Sequence, residues 1–414
     1  MRKLQPVKQL HIISLAAAIL FTACNETSTR ENKNRISISS DFDGGSIGEL
    51  TARDTNYYVG QTKHWLQKSG SDNQYYWFYF RMNGVANEQI TIQLDSLIGQ
   101  YRGGPHLIYT SWTQPVFSYN NLQWNRFSDV EYDKDNYSLR FKANFTQDTV
   151  WIAYAHPYTY QMHKRFIDSV ANINSKHLVI KTLGKSYQAR PIDLLTITDR
   201  DVPLQNKKVI LITSLQHAGE TVGGFFTQGM VNFLVSDDPK AAKIRQRFVF
   251  QVIPMINPDG FFLGTTRFNA AGEDLNQEWD DDFSDSVHLP VEPEAAAVKT
   301  WIREWLSDGN KIDLALDVHS QGQEGTMNLI HAPEGVLTSL TQSLEKFWPI
   351  QSIPMIFPGS INNCLHQEFK IPSGTFEIPQ SYVDEHKNYL NVKDYMNYGK
   401  GTATGINDYF MNND

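Results

Sequence analysis

The stretch "TSLQHAGETVGG", residues 213–224, joins a strand-like segment to a helix-like segment. The apolar run VILITSL leads into it, and TVGGFFTQGMVNFLV continues from it with helical character. His217 and Glu220 lie three residues apart at this junction. Because imidazole nitrogen and carboxylate oxygen are both zinc ligands, the spacing predicts two side chains of a metal site. A His-x-x-Glu pair alone is weak support, since such pairs also arise by chance.

Strand-like and helix-like segments alternate from about residue 165 onward. The further strand-like segments are HLVIKTL, IDLLTI, FVFQVIPMI and IDLALDV, and the further helix-like segments are EAAAVKTWIREWL and VLTSLTQSLEKFW. This alternation predicts an α/β domain over residues 161–414, with a mixed sheet flanked by helices. Ligands of such sheets bind beyond the carboxyl ends of the strands, which is where His217 lies.

Two later residues extend the candidate site. His319 follows the strand-like IDLALDV, so His217, Glu220 and His319 form a candidate ligand set for one Zn²⁺ ion. Glu377, in "SGTFEIP", is a carboxylate inside an apolar strand-like segment. Burying an unpaired carboxylate costs on the order of several kcal/mol. Glu377 therefore either points to solvent from an edge strand or faces a site.

The preceding part of the chain, residues 36–160, has the pattern of an all-β domain. Apolar and polar residues alternate in ITIQL (residues 90–94) and in LRFKANF (residues 139–145), and QYYWFYF (residues 74–80) is densely aromatic. We expect an N-terminal antiparallel β-sandwich with this aromatic segment in its core. A packed core explains the aromatic residues better than a ligand-binding surface does.

The first 35 residues have the features of an export signal and a linker. Basic residues precede the apolar run IISLAAAILFTA (residues 12–23), which is too short to span a bilayer. The run ends in "LFTAC", which resembles a bacterial lipoprotein signal and implies lipidation of Cys24. Residues 1–23 are then the signal peptide and residues 24–35 a polar tether. The alternative is an ordinary secretory signal with an incidental cysteine.

This signal predicts an exported protein anchored to a bacterial cell envelope, with membrane contact through the lipid alone. The sequence does not decide between the periplasmic face and the outer surface of the envelope. The formal net charge of −8 over 414 residues argues against nucleic acid as a partner, because binding phosphates needs a basic surface.

Five short motifs in order resemble one family. They are "HAGE", "NPDG", "GEDLNQEW", "DVHS" and "TFEI". Together they are similar to the motifs of the zinc carboxypeptidases of the carboxypeptidase A type. The segment "AYAHPYTY" (residues 153–160) resembles the end of the N-terminal β-sandwich of the cytosolic carboxypeptidase subfamily. The resemblance covers nearly the whole chain after the signal, and the order of five motifs is specific where no single motif is.

The resemblance implies roles for residues at matching positions. His217, Glu220 and His319 match the ligands of a single zinc ion, and Asp274 matches the carboxylate that holds the first zinc histidine. Such an outer hydrogen bond fixes the tautomer and orientation of the imidazole ring.

Three further positions match residues that act on substrate. Glu377 matches the glutamate that takes a proton from the attacking water and passes it to the leaving amine. Arg267 matches the arginine that stabilises the developing oxyanion. Asn276 matches a residue that binds the terminal carboxylate of the substrate. The implied activity is a zinc metallocarboxypeptidase acting on peptides, with nutrient peptides and cell-wall peptides as open alternatives.

Gln277 departs from the family pattern, which has arginine directly after the asparagine. That arginine grips the terminal carboxylate through charge-assisted hydrogen bonds, and a neutral glutamine at this substrate-binding position cannot form the same fork. Loss of a hydrogen bond to a charged group costs about 1.5–3 kcal/mol. Two alternatives therefore stay open: a zinc amidase or deacylase whose substrate lacks a standard C-terminal carboxylate, and an inactive binding protein on the same fold.

Overall fold

The computed structural model describes residues 36–173, 175–279, 292–323, 325–381 and 389–413. The predicted signal peptide, Cys24 and the tether lie outside these residues. None of the helices within the described ranges combines the length and the apolar character that crossing a bilayer requires.

The described part of the N-terminal half contains short strands and no long helix. The strands are β1 (Ser37–Ser39), β2 (Leu50–Asp54), β3 (Tyr57–Gln61), β4 (Trp65–Leu66), β5 (Asn73–Gln74), β6 (Tyr79–Asn83), β7 (Gln89–Asp95), β8 (Gly99–Tyr101), β9 (Gly104–His106), β10 (Val116–Ser118), β11 (Asn125–Arg126), β12 (Asp129–Asp133), β13 (Ser138–Asn144) and β14 (Thr149–Ala153).

Ten of these strands form two five-stranded sheets, as the sequence predicts. Their orders are β1-β6-β14-β10-β11 and β12-β13-β7-β3-β2. The pairs are antiparallel except for β3 and β7, which run parallel. Buried apolar residues alternate with more exposed polar residues along β7 and β13, and the rings of Phe78 and Phe141 stack in the core. The buried aromatic residues thus form the predicted core.

The aromatic segment at residues 74–80 is not one continuous strand. Its central residues, 75–78, are buried but join no ladder, because they pass from the sandwich toward the second half of the chain. The Tyr76 hydroxyl donates to the carbonyl of Thr266 (3.3 Å), and the Trp77 indole donates to the carbonyl of Gly44 (3.1 Å). These contacts replace the ladder that the aromatic pattern predicts.

The second half begins near the predicted boundary at residue 160, which stays a prediction. Its helices are α1 (Tyr160–Asn172), α2 (Val222–Val235), α3 (Pro239–Arg247), α4 (Pro258–Leu263), α5 (Pro293–Ser307), α6 (Thr338–Leu344), α7 (Ile361–Gln367) and α8 (Val392–Asn413). Its strands are β15 (Leu178–Lys185), β16 (Pro191–Ile197), β17 (Lys208–Ser214), β18 (Phe248–Ile253), β19 (Leu314–Gly322), β20 (Asn328–Ala332), β21 (Ile350–Pro354) and β22 (Ser373–Pro379). Helix α6 is shorter than the predicted VLTSLTQSLEKFW.

These eight strands form one mixed sheet in the order β15-β16-β18-β17-β19-β22-β20-β21. The central strands β18, β17, β19 and β22 are parallel, and β16 and β20 pair antiparallel with the flanks of that block. A parallel centre covered on both faces explains why VILITSL is apolar throughout. Ile210 and Ile212 pack in the core that contains α2 and α8, whereas Val209 and Leu211 pack in the core that contains α5 and α7.

Residues 36–414 form one compact unit, in which the sandwich contacts the loop that follows β19. The backbone N–H of Gln323 donates to the Tyr154 hydroxyl (2.8 Å), and the Trp112 indole donates to the carbonyl of Gln323 (2.9 Å). Arg126 donates to the carbonyl of Leu390 (2.9 Å). The sandwich is therefore held against the α/β half by buried polar contacts.

Candidate active site

Three neighbouring parallel strands carry the predicted site residues at their carboxyl ends. His217 lies three residues after the end of β17, and Leu215 turns the chain there with a left-handed φ of 59°. His319 lies in β19 and Glu377 in β22, and these two residues are paired in register. Parallel strands end at one edge of a sheet, so side chains that are 58 to 160 residues apart meet there.

His217, Glu220 and His319 converge into one buried cluster. The Nδ1 atoms of the two imidazoles lie 3.1 Å apart, and each lies 2.8 Å from a Glu220 oxygen. Two ligands at about 2.1 Å from a tetrahedral zinc ion would be separated by about 3.4 Å, close to these distances. The donor set and its spacing fit a zinc ion.

The opposite nitrogens of both rings face carboxylates. His217 Nε2 lies 3.1 Å from Asp274 Oδ1, and His319 Nε2 lies 2.7 Å from Asp317 Oδ2. A carboxylate at Nε2 holds the proton there, so the lone pair of each Nδ1 points into the cluster. This arrangement is the second reason why the residues fit a metal cation.

The charges of the cluster are coupled. Burial opposes ionisation of Glu220, but His217 and His319 hold its pKa well below the ordinary range. Burial alone would lower the pKa of His319, yet the Asp317 and Glu220 carboxylates raise it well above its usual value. The cluster therefore attracts positive charge, and a divalent cation bound there would displace the proton from His319 Nδ1.

Arg267 lies beside the cluster with its guanidinium largely buried. Its Nε donates to Asp274 Oδ2 (2.5 Å), and its Nη1 is 3.8 Å from Glu220 Oε1. Burial would lower the pKa of Arg267, but Asp274 raises it further above its already high value, so the side chain stays cationic. Its position within reach of a metal ligand suits a group that stabilises negative charge on a bound carbonyl oxygen.

Glu377 faces the same cleft from β22. No hydrogen-bond donor of the described residues occupies its carboxylate, which leaves the oxygens available to a water molecule. Burial and the neighbouring Glu220 carboxylate raise the pKa of Glu377 to about 7. The structure therefore places this carboxylate in the cleft and not at an edge strand facing solvent.

Asn276 and Gln277 lie on the short turn Leu275–Gln277 but face different surroundings. Asn276 lines the cleft, and its Oδ1 accepts from the backbone N–H of Ile361 (3.2 Å). Gln277 is half-buried, and its side-chain amide donates to Asp274 Oδ2 (2.8 Å). The substrate contact of Gln277 stays a prediction.

The sequence reasoning missed two features of the site. Asp317 orients His319, and the pattern Asp-x-His on one strand, which puts both side chains on the same face, could have indicated it. The other feature is a wall of the cleft that comes from the sandwich, with Tyr76, Tyr101, Arg102 and His106 among its residues. No local pattern in the sequence connects that wall with a site more than a hundred residues further on.

A buried His-Glu-His cluster with an unpaired carboxylate beside it, at the strand ends of an α/β sheet, defines a metal-dependent hydrolase. The profile of the zinc carboxypeptidase family matches residues 163–406, and that of the cytosolic carboxypeptidase N-terminal domain matches residues 38–155. The chain belongs to the zinc carboxypeptidase family, whose members use a zinc ion.

Curated relatives and solved structures agree with this membership. Cytosolic carboxypeptidase 6 of Homo sapiens is 33% identical over 256 residues, which cover 59% of this chain and 49% of the relative. The matched part of the chain thus spans half or less of the length of such curated relatives, for example 29% of cytosolic carboxypeptidase 2 of Homo sapiens. A metallo-carboxypeptidase from Burkholderia cenocepacia has the same fold, with a TM-score of 0.77 at 22% identity over 92% of this chain and 100% of that one.

A metallo-carboxypeptidase from Pseudomonas aeruginosa, in complex with (2-guanidinoethylmercapto)succinic acid, is also similar. Its TM-score is 0.72 at 23% identity, and the alignment covers 89% of this chain and 98% of that one. Both structures contain the sandwich as well as the α/β half, because the alignments extend over nearly the whole described chain.

Proposed function

We propose that this protein is a zinc-dependent metallocarboxypeptidase that removes residues from the C-terminal ends of peptides. The observation that carries the proposal is the convergence of His217, Glu220 and His319, with the Glu377 carboxylate facing the same cleft. An inactive binding protein would have no need for a half-buried carboxylate without a hydrogen-bond donor beside a metal site, since such burial costs free energy.

The residues divide the chemistry between them. Zinc, when bound, polarises the scissile carbonyl and lowers the pKa of water, so that a nucleophile is available at neutral pH. Glu377 accepts a proton from the attacking water and returns it to the leaving amine nitrogen, so the peptide bond is replaced by a carboxylate and an amine. Arg267 donates to the oxygen on which negative charge develops. Asp274 and Asp317 keep the two imidazoles in the correct tautomer.

The test uses soluble protein that starts just after Cys24, loaded with zinc. It is incubated with a peptide pool in two forms, with free C-termini and with C-terminal amides, and the products are identified by mass spectrometry. Stepwise loss of C-terminal residues from the free form alone supports a carboxypeptidase. Cleavage of both forms, or of neither despite bound zinc, contradicts it and favours the amidase or deacylase alternative.

Glu377→Gln removes the proton acceptor but keeps the size of the side chain. We expect kcat to fall by about 10²- to 10⁴-fold, the usual contribution of a general base, while zinc content stays near one equivalent. Glu304→Gln, on the exposed face of α5, is the control and should match the wild type. Unchanged turnover in Glu377→Gln would remove Glu377 from the mechanism.

We also propose that the protein is exported and lipid-anchored at Cys24 to a bacterial envelope, where nutrient or cell-wall peptides are its substrates. The support is the apolar run that ends in "LFTAC". Cells expressing the full chain are fed an alkyne fatty acid. Label on the wild type and on Cys364→Ser, but not on Cys24→Ser, is the expected result, and Cys364 is the matched control because it is buried. Label that survives in Cys24→Ser contradicts the anchor.

A further inference from the structure

The cleft needs a cation that the turn at Gln277 does not provide. A peptide C-terminus is a carboxylate, and arginine binds it best through paired N–H donors. Gln277 is neutral and its amide is bonded to Asp274, while Arg267 is held by Asp274 and lies beside Glu220. His106 also lines the cleft, but burial and the charge of Arg267 lower its pKa to about 4, so it is neutral at pH 7.

Arg102 is the other arginine on the cleft wall, and it comes from the sandwich half. It lies with Gly103 at the tip of the hairpin that joins β8 and β9. The φ angles of these two residues are +48° and +80°, as in a two-residue turn that normally favours Asn and Gly. The Asp72 carboxylate accepts the backbone N–H of Arg102 at 2.7 Å and holds this turn.

The guanidinium of Arg102 lies next to the loop at residues 357–359, which packs on the backbone of Gln277. Its Nη2 donates to the carbonyl of Pro358 (3.2 Å), and it lies 5.8 Å from the centre of the Phe357 ring. The following residue, Gly359, packs on Gln277 so closely that a Cβ there would lie 2.8 Å from the Gln277 carbonyl oxygen. The hairpin therefore places a positive charge beside the loop that packs on the Gln277 turn.

Arg102 is also free to bind an anion. The contacts of its guanidinium within the described ranges are one backbone carbonyl and the faces of two rings, Tyr101 and Phe357, and none is a carboxylate. The residue is exposed, so the planar group can rotate toward a ligand in the cleft. Most of its N–H donors remain available for a carboxylate.

We propose that Arg102 binds the terminal carboxylate of the substrate, together with Asn276, in place of an arginine at position 277. The proposal rests on the carboxypeptidase activity proposed above and names the group that selects free C-termini. The carboxylate is bound equally in the ground state and the transition state, so its loss should appear in KM more than in kcat.

The test compares Arg102→Asn, Arg102→Lys and the double variant Arg102→Asn/Gln277→Arg on the best-cleaved peptide and its C-terminal amide. We expect Arg102→Asn to raise KM for the free acid by about 10- to 100-fold, with kcat within about threefold. The KM of Arg102→Lys should rise less than that of Arg102→Asn, and the added Gln277→Arg substitution should lower the KM of Arg102→Asn further still. Arg53→Asn, an exposed arginine on β2 away from the cleft, should match the wild type.

Folding is checked separately by thermal melting. Asn suits a left-handed turn position better than Arg, so Arg102→Asn should melt at or above the wild-type temperature. A KM for the free acid that stays within twofold of wild type in this folded variant overturns the proposal.

Binding to zinc-loaded Glu377→Gln separates this proposal from the activity. The probes are the best-cleaved peptide and its C-terminal amide, or benzoyl-glycyl-phenylalanine and its amide if no peptide is cleaved. Calorimetry measures the affinity of the protein for each probe. A preference for the acid that is lost with Arg102→Asn supports the role of Arg102, even where no peptide is cleaved and the carboxypeptidase activity fails. Equal affinity for the acid and the amide in Glu377→Gln protein that retains Arg102 overturns the proposed role of Arg102.

Discussion

The two sides of the cleft are built from different kinds of structure. The metal side consists of the ends of the parallel central strands of one sheet, its three candidate ligands are buried, and its two histidines are held by further carboxylates. The other side includes the tip of the β8–β9 hairpin, from a separate four-stranded sheet of the N-terminal half, and the loop at residues 357–359, and Arg102 on it is exposed. Chemistry thus depends on rigid, buried positions, whereas recognition depends on surface turns that a single substitution can alter.

The largest effect should come from the buried side. His319→Ala removes one of three ligands and leaves Glu220 and Asp317 without their partner, so bound zinc should fall from about one equivalent to below about 0.1. We expect kcat/KM to fall by more than about 10³-fold with it. Metal analysis after dialysis checks the first value. His366→Ala, on α7 away from the cleft, is the control, and full zinc content in His319→Ala would contradict the ligand set.

A smaller effect is expected one step further from the metal. Asp317→Asn keeps the shape of the side chain but removes the charge that orients His319, so zinc affinity should fall by about 10- to 100-fold. Thr213 and Gln216 also bond to Asp317, each at 2.7 Å, so the residue is well held. Titration against a chelator measures the affinity, with the exposed Asp308→Asn as control. A zinc affinity equal to that of the wild type would mean that the Asp317 carboxylate does not contribute to metal binding.

The smallest effect should lie at the turn beside Gln277. Burial and the nearby carboxylates Glu273, Glu292 and Asp274 raise the pKa of Glu278 from 4.5 to about 7. The folded state therefore holds the proton more tightly than the unfolded state, and stability is lost as the pH rises from about 4.5 to about 7. Glu278 is half-exposed, so solvent limits the effect to about 1 kcal/mol.

Glu278→Gln removes this titration. The free energy of unfolding of the variant should exceed that of the wild type by about 1 kcal/mol more at pH 8 than at pH 5. Denaturant titration at both pH values measures it, with Glu304→Gln as a control that changes neither. A difference that is the same at both pH values would show that Glu278 has the same pKa in the folded and unfolded states.

The sequence predicted the buried side better than the exposed side, for physical reasons. Strand ends of a parallel sheet are marked by apolar runs, so the sequence alone places His217 and His319 at one edge. The sequence does not decide whether Glu377 faces solvent or the site, because a single carboxylate in a strand does not reveal the direction of its side chain. The structure resolves this through the register of β19 and β22.

Arg102 could not be found in the same way. Its role depends on contacts across 256 residues, between a hairpin tip and Pro358, and no periodicity reports such a distance. The orientation of Gln277 was equally hidden, since it depends on whether the amide bonds to Asp274 or enters the cleft. The aromatic pattern of residues 74–80 predicts a buried segment but not its course between the two halves, because both a strand and a buried crossing require apolar residues.

The hydrogen bonds of Gln323 to Trp112 and Tyr154 have a consequence for damaged copies of the protein. Gln323 lies four residues beyond His319, so the loop after a candidate metal-ligand strand is held by the sandwich. A protease that nicks the sandwich would release this loop and remove the wall that carries Arg102. Partial degradation should therefore leave an inert fragment, and not an unselective peptidase that attacks neighbouring proteins.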